Sequence, residues 1–169
     1  MKTLFVLRHA KSSWDDPDLS DLDRPLNHRG KVAAPFMGDL MARNGFLPDV
    51  ILSSPAIRAR ETARLVKEGG DLPGDITEVE EIYEAIPKTL RRIVSGIDDR
   101  FRSAMIVGHN PGMEGFVRLL TGKLKPMPTA ALAVIELDIA TWSEIADGSG
   151  KLHHLIRPKD EMKAMEKRR

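Results

Sequence analysis

Three short apolar segments constrain the fold of this 169-residue chain more than any other feature. They are TLFVLR at residues 3–8, DVILSS at residues 49–54 and SAMIVG at residues 103–108. The centre of each segment is continuously apolar rather than alternating, which is typical of strands whose two faces are both buried under helices. The sequence therefore predicts an α/β fold with three layers, in which helices cover both faces of a mainly parallel sheet.

The segments between these strands predict helices. Apolar residues at helical spacing favour a helix over residues 31–44, with Pro35 in its first turn. In SSPAIRARETARLVKEGG, Ser54 is the predicted N-cap of a second helix, and two glycines at residues 69–70 predict its end. These helices complete strand–helix–strand units, as a parallel sheet requires.

The remaining elements are less regular. A strand is predicted near residues 78–83 and a helix over residues 88–97. The segments ALAVIELD and KLHHLIRP predict a late hairpin with its turn at residues 147–150. Residues 15–30 are rich in aspartate and predict a loop, and long ordered loops are often functional.

Length and composition exclude several classes of protein. The length favours one domain, over residues 1–158, followed by a charged tail at residues 159–169 that is expected to fray. The absence of cysteine excludes disulfides, thiolate metal sites and a cysteine nucleophile. A net charge of +1 gives no field for holding nucleic acid. No apolar run has the length of a signal-peptide core or a membrane span, so a cytoplasmic monomer without a membrane partner is expected.

Basic and hydrogen-bonding residues follow all three apolar segments. Arg8 and His9 end the first segment, Arg58 comes shortly after the second, and His109 follows the third. Because the carboxyl ends of parallel strands meet at one edge of a sheet, where ligands bind, we expect these four side chains to form one site.

Such a site suits a phosphoryl group. Arg8 and Arg58 can each donate two charge-assisted hydrogen bonds to phosphate oxygens, and Arg58 lies near the start of a predicted helix, which favours an anion. Catalysis of phosphoryl transfer depends mostly on positioning and on preorganised cations. The pattern therefore predicts a phosphate site.

The two histidines are expected to have different roles. A nucleophilic imidazole must be neutral, with one nitrogen free and the other donating its proton to a fixed acceptor. His9 is the predicted nucleophile, because neighbouring cations would lower its pKa. His109 is predicted to donate a hydrogen bond to the phosphate oxygens, in its protonated form once phosphate binds.

Four segments resemble motifs of the histidine phosphatase superfamily, the phosphoglycerate mutase-like proteins. LFVLRHAKS resembles the RHG motif, and DLDRPLNHRG resembles the D-x-x-R-P-L-x-x-x-G loop. SSPAIRARETA resembles the S-P-x-x-R-A-x-x-T-A helix, and VGHNPG resembles the second histidine motif. They run in the expected order over residues 4–112, and within the superfamily they most resemble the SixA-like phosphohistidine phosphatases.

The resemblance implies a phosphoglycerate mutase-like fold in a minimal version, without large insertions. It also implies catalysis through a covalent phosphohistidine, with no metal or other cofactor. His9 matches the nucleophile, while Arg8, Arg58 and His109 match the phosphate-binding residues. The implied partner is a phosphorylated protein or a small-molecule phosphate.

Two residues depart from the family pattern. The change at Ala10 is one that the phosphohistidine branch tolerates, whereas Asp15, together with the short chain, favours hydrolysis over mutase chemistry. Ala10 replaces the usual glycine, and Asp15 replaces the asparagine that follows the tryptophan in the mutases. A carboxylate there would repel a phosphate.

Glu80, three residues before Tyr83, matches the spacing of the proton donor in the wider superfamily, and Glu81 and Glu84 are close rivals. A solvated strand edge explains these glutamates equally well.

The sequence thus favours a metal-independent phosphatase that acts on phosphohistidine in proteins. An ester needs an acid for its alkoxide leaving group, whereas the nitrogen of a phosphoramidate leaves with less help once it is protonated. One alternative is a small-molecule phosphomonoesterase that uses the same site. A second alternative is a non-catalytic regulatory module that binds phosphate or a phosphoprotein.

Overall fold

The computed structural model describes residues 1–168, and within that range a single six-stranded sheet forms the centre of the fold. The strands are β1 (Lys2–Arg8), β2 (Val50–Ser53), β3 (Asp75–Glu78), β4 (Ser103–Gly108), β5 (Leu132–Leu137) and β6 (Gly150–Ile156). The helices are α1 (His28–Arg43), α2 (Ile57–Gly70), α3 (Pro87–Ser95), α4 (Gly112–Thr121) and α5 (Pro158–Lys167).

The strand order is β3-β2-β4-β1-β5-β6. β3, β2, β4 and β1 pair in parallel, whereas β5 pairs antiparallel with β1 and β6 antiparallel with β5. The predicted α/β fold, with a mainly parallel sheet and no large insertions, is confirmed.

Side chains that alternate along β1 form two separate cores. Leu4 and Val6 pack with the apolar faces of α3 and α4, while Phe5 and Leu7 pack with those of α1 and α2. This alternation is why the central strands are apolar at consecutive positions, since each face of the sheet buries its own helix layer. The three predicted buried strands are therefore confirmed as β1, β2 and β4.

Both predicted helix starts are wrong, because individual hydrogen bonds hold the chain in a different conformation from the one that the residue types suggest. α1 begins at His28, where the side chain of Asn27 accepts the N–H of Gly30 at 2.9 Å, so Pro35 lies inside the helix. α2 begins at Ile57 rather than directly after Ser54. The N–H of Ser54 instead donates to the Val107 carbonyl at 3.0 Å, which extends the sheet by one residue.

Two further predictions need correction. The strand expected near residues 78–83 ends at Glu78, and a short 3-10 turn follows at Glu80–Ile82. The tail expected to fray, from residue 159, instead lies in helix α5 as far as residue 167, and this helix packs against α1. The division into a domain and a tail, with Arg169 outside the described residues, stays a prediction.

The antiparallel pairing of β5 with β6 confirms the predicted late hairpin, but its predicted turn at residues 147–150 is wrong, because the connection runs over residues 138–149 and Gly150 already pairs with Leu137. None of the helices in residues 1–168 is long and apolar enough to cross a membrane.

Candidate active site

A cavity of 240 Å³ lies at the carboxyl ends of β1 and β4. Its lining residues are Arg8, His9, Lys11, Ser12, Trp14, Arg24, Arg58, His109, Asn110 and Thr129. The structure thus brings together the four predicted site residues, and we call this space the His9 cavity. Its lining contains four cationic side chains and no carboxylate. Larger pockets of 570 and 650 Å³ lie elsewhere on the surface, but neither is lined by a histidine.

The end of the sheet fixes His9 on both sides. The backbone N–H of His9 donates to the carbonyl of Gly108, and its backbone carbonyl accepts from the N–H of Ala130, each at 3.0 Å. The ring nitrogen Nδ1 lies 2.6 Å from the carbonyl oxygen of Ala10. Because a carbonyl can only accept, Nδ1 carries the proton and Nε2 has a free lone pair.

The His9 ring is neutral at physiological pH. Only 7% of the residue is exposed, and burial lowers its pKa to about 3. The hydrogen bond to Ala10 opposes this shift, while the charges of His109, Arg58 and Arg8 add to it. The predicted direction is confirmed, but burial rather than the neighbouring cations is its main cause.

The two predicted arginines are held by backbone and carboxylate acceptors. Arg8 donates from Nη1 to the carbonyl of Met127 at 3.0 Å, and burial lowers its pKa. Arg58 is 5% exposed and donates from both Nη atoms to Asp21. Each guanidinium has five N–H donors, so these bonds leave others for an anion.

His109 faces His9 across the cavity, with the two ring centroids 5.2 Å apart. Its Nε2 lies 2.8 Å from the hydroxyl oxygen of Ser54, and its Nδ1 is buried without a hydrogen-bond partner. Burial, followed by the charge of Arg58, lowers its pKa to about 4. His109 is therefore neutral in the phosphate-free protein, and its protonation on phosphate binding stays a prediction.

Sequence analysis assigned no role to two further cationic residues of the cavity, Lys11 and Arg24. Arg24 is 8% exposed, donates from Nη1 to the hydroxyl of Ser12 at 2.8 Å, and lies 3.5 Å from the centroid of the exposed Trp14 ring. Arg24 belongs to the DLDRPL segment. The resemblance of this segment to a family motif was the available signal, but it assigned no role to the arginine. Only the fold of residues 12–26, with an isolated bridge between Ser12 and Leu26, brings Arg24 back to the site.

Glu80, the predicted proton donor, does not line the His9 cavity. It is exposed on the 3-10 turn and lines a neighbouring pocket with Leu22 and Tyr83. In the range 1–168, no group of three or more histidine or acidic side chains is arranged to hold a metal ion.

Comparison with known proteins identifies relatives that match most of the chain. The family model for the histidine phosphatase superfamily (branch 1) matches residues 4–86. An uncharacterized chloroplastic protein of Arabidopsis thaliana is 31% identical over 93% of this chain and 78% of its own length.

Solved structures show the same architecture. A crystal structure from Agrobacterium tumefaciens, provisionally named phosphohistidine phosphatase SixA, is 31% identical, with a TM-score of 0.79 over 93% of this chain and 99% of that one. A protein histidine phosphatase SixA complexed with tungstate is 23% identical, with a TM-score of 0.77 over 94% of this chain and 99% of that one. The latter likeness supports the fold alone.

Proposed function

Because the chain belongs to the histidine phosphatase superfamily, in its SixA-like branch, we propose that it is a metal-independent phosphatase of phosphohistidine in proteins. In this proposal His9 is the nucleophile, and the reaction passes through a covalent phosphohistidine on that residue. Arg8, Arg58 and His109 bind the oxygens of the phosphoryl group.

The observation that carries the proposal is the state of the His9 ring. The imidazole is neutral and buried, its Nδ1 proton is fixed on the carbonyl of Ala10, and it lies in a cavity with Arg8 and Arg58. A site that only binds phosphate needs the cations, but it does not need an oriented nucleophile beside them.

In the first step, the lone pair on Nε2 of His9 attacks phosphorus. The bond from phosphorus to the nitrogen of the substrate breaks. The substrate imidazole, protonated from solvent on its other ring nitrogen beforehand, keeps that electron pair and leaves as neutral imidazole. The guanidinium groups of Arg8 and Arg58 stabilise the charge on the phosphoryl oxygens in the transition state.

In the second step, water attacks phosphorus on His9. The new phosphorus–oxygen bond forms as the bond to Nε2 breaks, and the water gives up a proton to solvent as orthophosphate leaves. His9 returns to its neutral form, with Nδ1 still donating to the carbonyl of Ala10.

The absence of a carboxylate from the lining of the His9 cavity supports a phosphoramidate substrate. An ester leaves as an alkoxide and needs a proton donor, whereas the imidazole of phosphohistidine leaves as a weaker base. Glu80 lies outside that lining, so its role as an acid would require movement of the 3-10 turn. The name of the Agrobacterium relative is consistent with the same substrate.

The test compares substrates side by side, in EDTA. Phosphate release is measured from a protein that carries phosphohistidine and from a panel of sugar and nucleotide phosphomonoesters, for wild type, His9→Ala and Glu80→Gln. We expect turnover mainly on phosphohistidine, no turnover by His9→Ala and wild-type turnover by Glu80→Gln.

Other outcomes would select the alternatives. A preference for esters together with inactivity of Glu80→Gln would favour the small-molecule phosphomonoesterase. Phosphate binding without turnover on any substrate would favour a regulatory module. Full activity of His9→Ala would overturn the covalent mechanism.

A further inference from the structure

We propose that Asp21 is a positioning residue, which orients the Arg58 guanidinium for the transition state without contacting the phosphoryl group itself. This inference rests on the function proposed above. It concerns a residue outside the lining of the His9 cavity, on the short 3-10 turn Asp21–Asp23.

Asp21 holds the guanidinium of Arg58 at two points. Nη1 donates to the backbone carbonyl of Asp21 at 2.5 Å, and Nη2 donates to its carboxylate Oδ2 at 2.9 Å. A guanidinium bound through both Nη atoms has its plane and its rotation fixed. Because the side chain of Arg58 is almost fully buried, Asp21 determines which of its remaining N–H groups face the cavity.

The same carboxylate is bound by two other side chains. Its Oδ1 accepts from Nε and Nη2 of Arg24 at 3.2 and 3.1 Å, and its Oδ2 accepts from the hydroxyl of Tyr83 at 2.5 Å. Asp21 therefore links two cationic residues of the His9 cavity with the segment that follows β3.

Charge explains why a carboxylate occupies this place. Two guanidinium groups that share a small cavity repel each other, and Asp21 lies between them with a bond to each. The Tyr83 hydroxyl and the two arginines stabilise the ionised form and hold the pKa of Asp21 at about 2, so the carboxylate is charged at neutral pH.

Loss of this charge has two opposite consequences. Without Asp21 the cavity becomes more positive, which favours an anion that binds in the ground state. Arg58 keeps its bond to the backbone carbonyl of residue 21 but loses its charged acceptor, so its guanidinium is held less firmly and fewer of its donors are aligned with the oxygens in the transition state. Binding of a phosphate analogue and the rate of turnover should therefore change in different ways.

The experiment compares Asp21→Asn with Asp23→Asn. Both substitutions remove one negative charge from the same 3-10 turn, but the carboxylate of Asp23 accepts from the Ser20 hydroxyl rather than from an arginine. The values of kcat and KM for a protein that carries phosphohistidine, and the inhibition constant of tungstate, are measured for each. We expect kcat of Asp21→Asn to fall about tenfold or more, with tungstate binding as tight as in wild type or tighter. Asp23→Asn should keep the wild-type values.

Two further variants test whether Asp21 acts through its hydrogen bonds and through Arg58. Tyr83→Phe leaves all charges in place and should lower kcat by about two- to fivefold, since it removes one bond to Asp21. In a protein that already carries Arg58→Lys, Asp21→Asn should cause little further loss of kcat. The effects of two substitutions are not additive when one residue acts through the other.

The outcomes separate this inference from the proposed function. An unchanged kcat in both Asp21→Asn and Tyr83→Phe would overturn the inference, and so would equal losses in Asp21→Asn and Asp23→Asn. Loss of tungstate binding together with kcat in Asp21→Asn would also overturn it, because a structural defect would explain both. If wild type does not release phosphate from phosphohistidine at all, the proposed function fails, whatever the Asp21 variants do.

Discussion

At the scale of single residues, Arg8 and Arg58 provide the planar donors that a phosphoryl group requires. Both are tied to fixed acceptors, so the cost of ordering them is met when the protein folds rather than when the substrate binds. In many enzymes, preorganised donors of this kind make the largest single contribution to the rate enhancement, because they stabilise the charge of the transition state.

Substitution of Arg58 by lysine tests this point. Lysine keeps the positive charge but cannot donate from two groups in one plane, so kcat/KM should fall by about a hundredfold. The matched control is Arg60→Lys on the same helix, since Arg60 is exposed and pairs with Glu78. Steady-state kinetics on phosphohistidine measure both variants, and equal activity of the two would contradict the role of Arg58.

The ionisation of the two cavity histidines can be observed directly. Because burial lowers the pKa of His9 to about 3 and that of His109 to about 4, neither ring should titrate between pH 5 and pH 8 in the phosphate-free protein. Nitrogen-15 NMR of the imidazoles, assigned with His9→Ala and His109→Ala, gives the measurement. A midpoint near 6.5 for His9 would contradict the neutral nucleophile.

At the scale of elements, the start of α1 holds the segment that follows His9. The N–H of Asn27 donates to the carbonyl of Lys11 at 3.0 Å, and the backbone of Gly30 packs directly on the same carbonyl. A β-carbon at residue 30 would lie only 2.2 Å from that oxygen, so no other residue type fits without movement.

Gly30→Ala should therefore affect both stability and activity. The clash is with backbone, which must shift, and overpacking of this kind costs about 1–3 kcal/mol. Because Lys11 lines the His9 cavity, kcat/KM should fall as well. Gly96→Ala is the control, since the nearest atom to its added β-carbon lies at 3.6 Å. Urea unfolding and steady-state kinetics are measured for both variants. If Gly30→Ala had the same stability and kcat/KM as Gly96→Ala, the close packing of Gly30 on the Lys11 carbonyl would be refuted.

Elements defined by a continuous apolar run could be predicted from the sequence, whereas elements defined by individual hydrogen bonds could not. β1, β2 and β4 are buried on both faces, so their residue types alone indicate them. Ser54 has the residue type of an N-cap, but its N–H belongs to the sheet edge and its hydroxyl contacts His109. Local sequence does not say which of these partners is near.

At the scale of the whole molecule, the topology assembles the site. β1 lies between β4 and β5, and β4 lies beside β2, so the segments that follow β1, β2 and β4 meet at one edge of the sheet. Strand order therefore explains why residues far apart in sequence could be predicted to lie together. Arg24 and Trp14 could not be predicted in this way, because an irregular loop brings them to the cavity, and the same loop places Asp21 against Arg24 and Arg58.

The stability of the whole fold should depend on pH through the buried histidines. Their folded pKa values lie below the unfolded value of 6.5, so the unfolded state binds more protons between pH 6.5 and pH 3. The free energy of unfolding is therefore highest above pH 6.5 and falls as the pH drops through this window. Each histidine contributes up to about 1.4 kcal/mol per pH unit.

Urea unfolding at a series of pH values measures this effect. His9→Ala should show a shallower dependence on pH than wild type between pH 6.5 and pH 4, because one of the two buried imidazoles is gone. Identical slopes in the two proteins would contradict the burial of a neutral His9.

The most direct test of the central claim is to trap the intermediate. The protein is mixed with a phosphohistidine substrate in EDTA, quenched in alkali within one turnover, and analysed by intact mass and peptide mapping. We predict one phosphoryl group on His9, stable in alkali and lost in acid, and none in His9→Ala. Phosphate release at the wild-type rate by His9→Ala, with no phosphoryl group on wild-type protein at any quench time, would contradict covalent catalysis by His9.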